Sequence, residues 1–226
     1  MAKSREAQVI SAVQEKGGAG KTTLIESLAA LMVGDGAKVA VIDTDDRKNL
    51  YRWADKKQID LDYLDVTEDE RLIPTVKVLK PKGYDVIFVD TAGFKSAISI
   101  YAINASNLVL IPTKADENDA LGARRSYDHV QSVAMSMDKQ IAAFVVMMDV
   151  DNAANITEIV RGGLQSKNIP MLGSMALHRT GIKEMKSTGR GPEGSAKATM
   201  REILAELQMR ELKNFYRETG EWAKSA

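Results

Sequence analysis

The chain has 226 residues, 44% of them hydrophobic and 27% charged, the composition of a globular protein closing around one core and not of a disordered or fibrous chain. Its 31 basic and 31 acidic residues cancel, so no global field draws it to nucleic acid or to an anionic membrane, and any such binding must come from a local patch. There is no cysteine for disulfides or thiolate metal sites, and no run reaches the roughly 20 apolar residues of a spanning helix.

At the N-terminal end, the apolar run at residues 9–13 is too short for a signal-peptide core, and a cytoplasmic location without stable membrane insertion is expected. Residues 8–14 predict a strand, 21–33 a helix closed by Gly34 and Gly36, and 38–43 a second strand, together a βαβ unit. Further strands are expected at 60–66, 85–90, 107–111, 141–148 and 171–175, separated by helices at 68–80, 95–104, 119–137 and 156–167. The runs at 86–89 and 109–111 lack polar alternation, as strands covered on both faces do. The expected fold is therefore a single α/β domain, a mostly parallel sheet flanked by helices on both faces. A last helix, about residues 196–218, carries an apolar stripe through Met200, Ile203, Leu204, Leu207, Leu212 and Phe215. Its charges are balanced from Arg201 to Glu218, so it is expected to pack on the body and not on a membrane.

Between the first strand and first helix lies Glu15-Lys16-Gly17-Gly18-Ala19-Gly20-Lys21-Thr22-Thr23. Glycines there let backbone N–H groups turn toward a polyphosphate, and the following helix presents its positive end to the same anion. Lys21 is placed to reach the β- and γ-phosphates of a nucleotide, and the Thr22 hydroxyl to ligate Mg²⁺. The ordinary pattern wants a glycine where Glu15 stands; instead a second lysine, Lys16, opens the loop. Two more acidic signals fall at strand ends, Asp43-Thr44-Asp45 and Asp90-Thr91-Ala92-Gly93, where an open parallel sheet places its ligand.

The string Lys-Gly-Gly-x-Gly-Lys-Thr-Thr resembles the deviant Walker A loop of the ParA/MinD family of ATPases, P-loop NTPases of the SIMIBI type. The resemblance implies ATP and Mg²⁺ as cofactors and nucleotide contacts from Lys16, Gly17, Gly18, Ala19, Gly20, Lys21, Thr22 and Thr23. It implies that Lys16 reaches across an ATP-sandwiched homodimer to the partner's phosphates, a cation delivered in trans. It further implies that Asp45 orients the attacking water and that Asp90 supports Mg²⁺ with Thr22. Asp43 is expected to back the metal site. Catalysis would thus rest on Lys16, Lys21 and Asp45, with hydrolysis weak alone and stimulated by a partner.

The chain departs from the family after Asp45, where Asp46-Arg47 replaces the usual Pro-Gln. The stretch from Asp46 to Trp53 is more similar to the VirC-type accessory ATPases of T-DNA transfer, as are Ser106-Asn107-Leu108 leading to Ile111-Pro112-Thr113, and His178-Arg179 leading to Met185-Lys186. Asp119 is read as a helix N-cap before a functional residue. The sixth strand ends Met147-Met148-Asp149 where relatives often place an Asn-Arg pair, so no adenine contacts carry over.

Six cations, Arg179, Lys183, Lys186, Arg190, Lys197 and Arg201, stand against only Glu184 and Glu193 between His178 and Arg201. Such a local patch gives salt-sensitive, sequence-independent binding to DNA, with Arg124 and Arg125 as a possible extension. The two histidines are too isolated for a metal site, the carboxylates from Asp60 to Glu70 are read as a solvated edge, and Trp53 and Trp222 as packing residues. The resulting expectation is a ParA-like ATPase that dimerises on ATP, binds DNA nonspecifically and associates with the nucleoid. It would serve plasmid or chromosome partition with a small ParB-like centromere-binding protein, or VirC-like conjugative transfer with a relaxase or secretion component. The alternatives are a MinD-like ATPase positioning a protein cargo or acting at a membrane without DNA, which needs a basic lipid-facing terminal helix, and a metabolic member of the superfamily. A nitrogenase-reductase relative would need cluster cysteines and a dethiobiotin-synthetase relative a substrate-pocket motif; the sequence offers neither.

Overall fold

The computed structural model describes residues 6–93, 97–151 and 155–212. Seven strands, β1 (Gln8–Ala12), β2 (Val39–Asp43), β3 (Asp62–Asp65), β4 (Val86–Asp90), β5 (Leu108–Thr113), β6 (Ala142–Val150) and β7 (Met171–Leu177), form one sheet ordered 3-2-4-1-5-6-7. Every neighbouring pair is parallel. All residues of β2, β4 and β5 are buried, which explains why these strands read as unbroken apolar runs.

The helices are α1 (Lys21–Gly34), α2 (Asn49–Ala54), α3 (Asp69–Leu79), α4 (Ile98–Ala105), α5 (Glu117–Ser136), α6 (Asn155–Gln165), α7 (Thr180–Thr188) and α8 (Gly194–Arg210). Successive strand residues point to opposite faces. Ile10, Val41 and Phe88 join α1, α2, α7 and α8 in one core, whereas Val9, Ile42 and Val89 pack with α3 and α4 on the other side. Beside that second core, Val109, Ile111, Val145 and Met147 meet α5 and α6. Burying each large aliphatic or aromatic side chain contributes about 1.5–3 kcal/mol, so these layers supply the main driving force for the fold.

All seven expected strands are present, and so are the six expected helices, with ends moved by a few residues. Helices α2 and α7 were not anticipated from the sequence. α2 buries only Leu50 and Trp53, and α7 only Met185, so neither leaves an apolar repeat to read. The terminal helix ends at Arg210; its expected continuation beyond residue 212, with Phe215, and Trp222 lie outside the described residues. Strand β3, holding the acidic stretch, is the sheet edge, as its polarity suggested.

Candidate nucleotide site

β1 delivers the chain into the loop at the carboxyl edge of the sheet, where β2 and β4 also end. Gly18 and Gly20 have φ of 79° and 108°, a conformation that glycine adopts without steric cost. A Cβ on Gly20 would come to 3.4 Å from the Met148 side chain of β6, an ordinary contact, so it is the backbone angle that calls for glycine there. Around Gly17 and Gly18 nothing lies within 4 Å of a Cβ position, an open cradle. The following helix has no side-chain cap on its first N–H groups, which leaves them to an anionic ligand.

The loop borders a cleft of about 500 Å³ lined by Gly17, Gly18, Gly20, Lys21, Thr22 and Thr23, by Asp45, Arg47 and Asn49 after β2, by Ala92 and Gly93 after β4, and by Lys186 of α7. Lys21 is buried and its Nζ donates to the Gln14 carbonyl at 3.2 Å; burial pushes its pKa down. The Thr22 hydroxyl donates to Asp90 Oδ2 at 2.7 Å, while Asp90 Oδ1 is buried with no hydrogen-bond partner. Burial raises the Asp90 pKa to about 7, against the opposing pull of the Thr22 hydroxyl. A buried, half-satisfied carboxylate beside a threonine hydroxyl and an open phosphate cradle fits a hydrated Mg²⁺ carried in on a nucleotide. Among the described residues no group of three or more His, Cys, Asp or Glu is placed to hold a metal ion by itself.

The predicted residues divide. Asp45 lines the cleft, its Oδ1 accepting from Arg47 N at 3.0 Å. Asp43, expected to back the metal site, has its Oδ1 accepting from Asp45 N at 3.0 Å and its Oδ2 from Tyr51 N at 3.3 Å and the Tyr63 hydroxyl at 3.5 Å. The buried carboxylate thus ties the Asp45 loop to α2. Asp119 is not the cap of α5 either; Asp116 is, accepting from Asn118 N at 3.0 Å and Asp119 N at 3.2 Å. That frees the buried Asp119 carboxylate to form an ion pair with Lys16 Nζ, with Asp116 Oδ1 3.5 Å from the same ammonium. Asp119 first, then Asp116, holds the Lys16 pKa above its ordinary value.

Sequence reading missed Gln14. Its buried side-chain Nε2 donates to the carbonyls of Pro112 (3.1 Å) and Asp119 (3.4 Å), and its Oε1 accepts from Ser126 Oγ (3.1 Å) and Lys16 N (3.4 Å). It locks the loop's entry to β5 and α5. The available signal was a glutamine following the apolar Ala12-Val13 pair just before the loop.

The basic residues scatter more than their sequence spacing suggested. Lys183 and Lys197 are exposed, and Arg190 lies 4.0 Å from Glu193. Arg179 donates to the His178 carbonyl at 2.7 Å. Arg201 is committed to a two-pronged pair with Asp35 at the end of α1, at 2.5 and 2.6 Å, and so serves the fold. Arg124 and Arg125 belong to α5 on the opposite face of the sheet and pair with Asp128 and Glu15, so they do not extend the patch. Lys186 opens onto the nucleotide cleft. His178 pairs with Asp149 at 2.6 Å, and Trp53 is a buried packing residue.

A parallel sheet ordered 3-2-4-1-5-6-7, with a glycine loop, an adjoining lysine and a Thr–Asp pair at its carboxyl edge, defines a P-loop nucleotide-binding protein of the ParA/MinD ATPase class. Its fold matches that of the Pyrococcus horikoshii septum site-determining protein MinD complexed with Mg-ADP, with a TM-score of 0.73 at 16% identity, over 92% of this chain and 97% of that one. Among curated proteins, the chain is 28% identical to Protein virC1 of Rhizobium radiobacter over 188 residues, 80% of this chain and 81% of that protein. It is 27% identical to Protein ParA of the same organism, over 80% and 83% of the two chains. The family model for the VirC1 protein matches residues 7–214, and the chain belongs to that family.

Proposed function

We propose that this protein is an ATP-controlled switch that binds Mg-ATP, dimerises around it, binds DNA without sequence preference and resets by hydrolysis, in plasmid partition or in VirC-like conjugative transfer. The observation that carries this reading is Lys16, a second loop lysine held on its own chain by Asp119 and Asp116 at the rim of the phosphate cleft. Held there it makes no phosphate contact in cis. A partner's nucleotide is a stronger anion than two carboxylates and would draw it across, adding a charge-assisted contact that strengthens as negative charge develops in the transition state.

In this reading Thr22 and Asp90 would hold Mg²⁺, which would supply neutralisation of phosphate charge when bound. Lys21 leaves the Gln14 carbonyl for the β- and γ-phosphates, the N–H groups of Gly17 to Thr23 cradle them, and Asp45 orients the attacking water. DNA would meet the exposed cations of α7, α8 and the loop between them, chiefly Lys183, Arg190 and Lys197, doubled in a dimer. A ParB-like protein or a relaxase or secretion component would stimulate turnover.

The test is binding to a random-sequence duplex without nucleotide, with ADP and with ATP, at two salt concentrations. Binding confined to ATP and weakened by salt supports the reading; no binding in any state removes DNA from it.

A further inference from the structure

We propose that Lys186 is a phosphate-binding residue, a lysine supplied by α7 that contacts the terminal phosphate of bound ATP. The inference rests on the reading of the loop as a nucleotide site and adds to it a cation that no phosphate-loop motif contains.

Three observations carry it. First, Lys186 lines the same cleft as Lys21, Thr22, Asp45, Ala92 and Gly93, which is the end of the site where strand-end carboxylates and the threonine hydroxyl converge and where a terminal phosphate would lie. Second, the helix that bears it is held in place on two sides. Met185, the preceding residue, is buried with its Sδ 3.5 Å from Ser27 Oγ of α1, and Lys56 Nζ caps the far end of α7 by donating to the carbonyls of Lys186 and Ser187 at 2.7 Å each. A lysine on the last carbonyls of a helix satisfies acceptors that have no intrahelical donor. Third, Lys186 is exposed where it lines the cleft, and it is the cation that most favours the ionised form of Glu26 of α1, which is 1% exposed with an Oε2 that has no hydrogen-bond partner. The ammonium thus stands near a buried carboxyl that burial keeps protonated and beside an open anion site, free to turn to a phosphate.

Arg47 lines the same cleft from the loop after β2. With Lys186 it brings cations from two separate elements, that loop and α7, to one ligand.

The test uses the 226-residue protein and equilibrium binding of fluorescent ATP and ADP analogues to wild type, Lys186→Ala, Lys186→Arg, Lys77→Ala and Lys21→Ala. Removing a charge-assisted hydrogen bond predicts about tenfold weaker ATP binding for Lys186→Ala, with ADP changed much less, because only ATP carries the contacted phosphate. Lys186→Arg should recover most of the affinity, and Lys77→Ala, an exposed cation of α3 outside the site, should bind both nucleotides as wild type. Lys186→Ala binding ATP like wild type, or weakened equally for ATP and ADP, would overturn the proposal. Retention of ATP by Lys21→Ala would instead overturn the nucleotide site itself, so the two failures are distinguishable.

Discussion

The pairing of Lys16 with Asp119 decides how the site is read at the residue scale. Had Asp119 capped α5, as its place in the sequence suggested, Lys16 would have had only Asp116 for company; with Asp116 capping, two carboxylates hold it. Removing the stronger of them with Asp119→Asn keeps the shape and weakens the hold. Since an ion pair with one solvent-exposed partner is worth up to about 1 kcal/mol, the ATP concentration for half-maximal dimerisation should fall by up to about fivefold, measured by light scattering across an ATP series. A rise, or no change, would mean that the pair does not compete with the dimer. Glu26 makes a second prediction. Burial pushes its pKa up to about 8 from 4.5 in the unfolded chain, so the folded state holds the proton more tightly. Its contribution to stability is therefore full below pH 4.5 and is lost progressively as pH rises to about 8. Glu26→Gln cannot ionise, and its stability advantage over wild type should grow from near zero at about pH 5 to on the order of 2–4 kcal/mol at about pH 9, in denaturant titrations without nucleotide. An advantage independent of pH would mean that the carboxyl is not the cause.

At the scale of elements, the part of the fold that is legible in the sequence is the part whose residues repeat a pattern. Strands β2, β4 and β5 announce themselves by unbroken apolar runs, and the loop from Lys16 to Thr23 by glycines at backbone angles that other residues rarely adopt. α2 and α7 were illegible for the opposite reason: each buries only one or two apolar side chains, and polar contacts made over long sequence distances help to place them. Trp53 Nε1 donates to the Arg190 carbonyl at 3.0 Å, and Lys56 reaches two carbonyls of α7. No local spacing encodes such bonds. The same applies to the roles of Asp43 and Gln14, whose chemistry is plain but whose partners are not. Trp53→Phe keeps most of the buried ring and removes the indole donor, leaving the Arg190 carbonyl without it. A decrease of about 0.5–1.5 kcal/mol is expected in chemical denaturation, with faster amide exchange in α7 than in α1. Uniform exchange across both helices would argue that α2 and α7 are not linked in this way.

For the whole molecule, the neutral net charge makes the distribution of cations the deciding quantity. The sequence grouped six of them by proximity along the chain; the fold assigns Arg201 to Asp35 and opens Lys186 onto the cleft, leaving Lys183 and Lys197 exposed. If these two bind DNA phosphates, replacing both with alanine should reduce the slope of log affinity against log salt by about 0.9 for each phosphate no longer neutralised, in ATP-dependent binding to duplex DNA. Arg201→Ala should leave that slope unaltered while lowering stability, because its partner is a carboxylate at the end of α1. An unaltered slope for the double variant would place DNA elsewhere on the surface.

The central claim, that ATP assembles two copies through Lys16, is tested most directly by the mass of the protein in solution with Mg-ATP when hydrolysis is blocked. Asp45→Ala, which removes the residue assigned to orient water, should run at twice the 24.7 kDa protomer mass with Mg-ATP and at the protomer mass with Mg-ADP. Adding Lys16→Ala to it should return the mass to that of one chain. A single-chain mass in Mg-ATP for Asp45→Ala, or a dimer that persists without Lys16, would contradict the account.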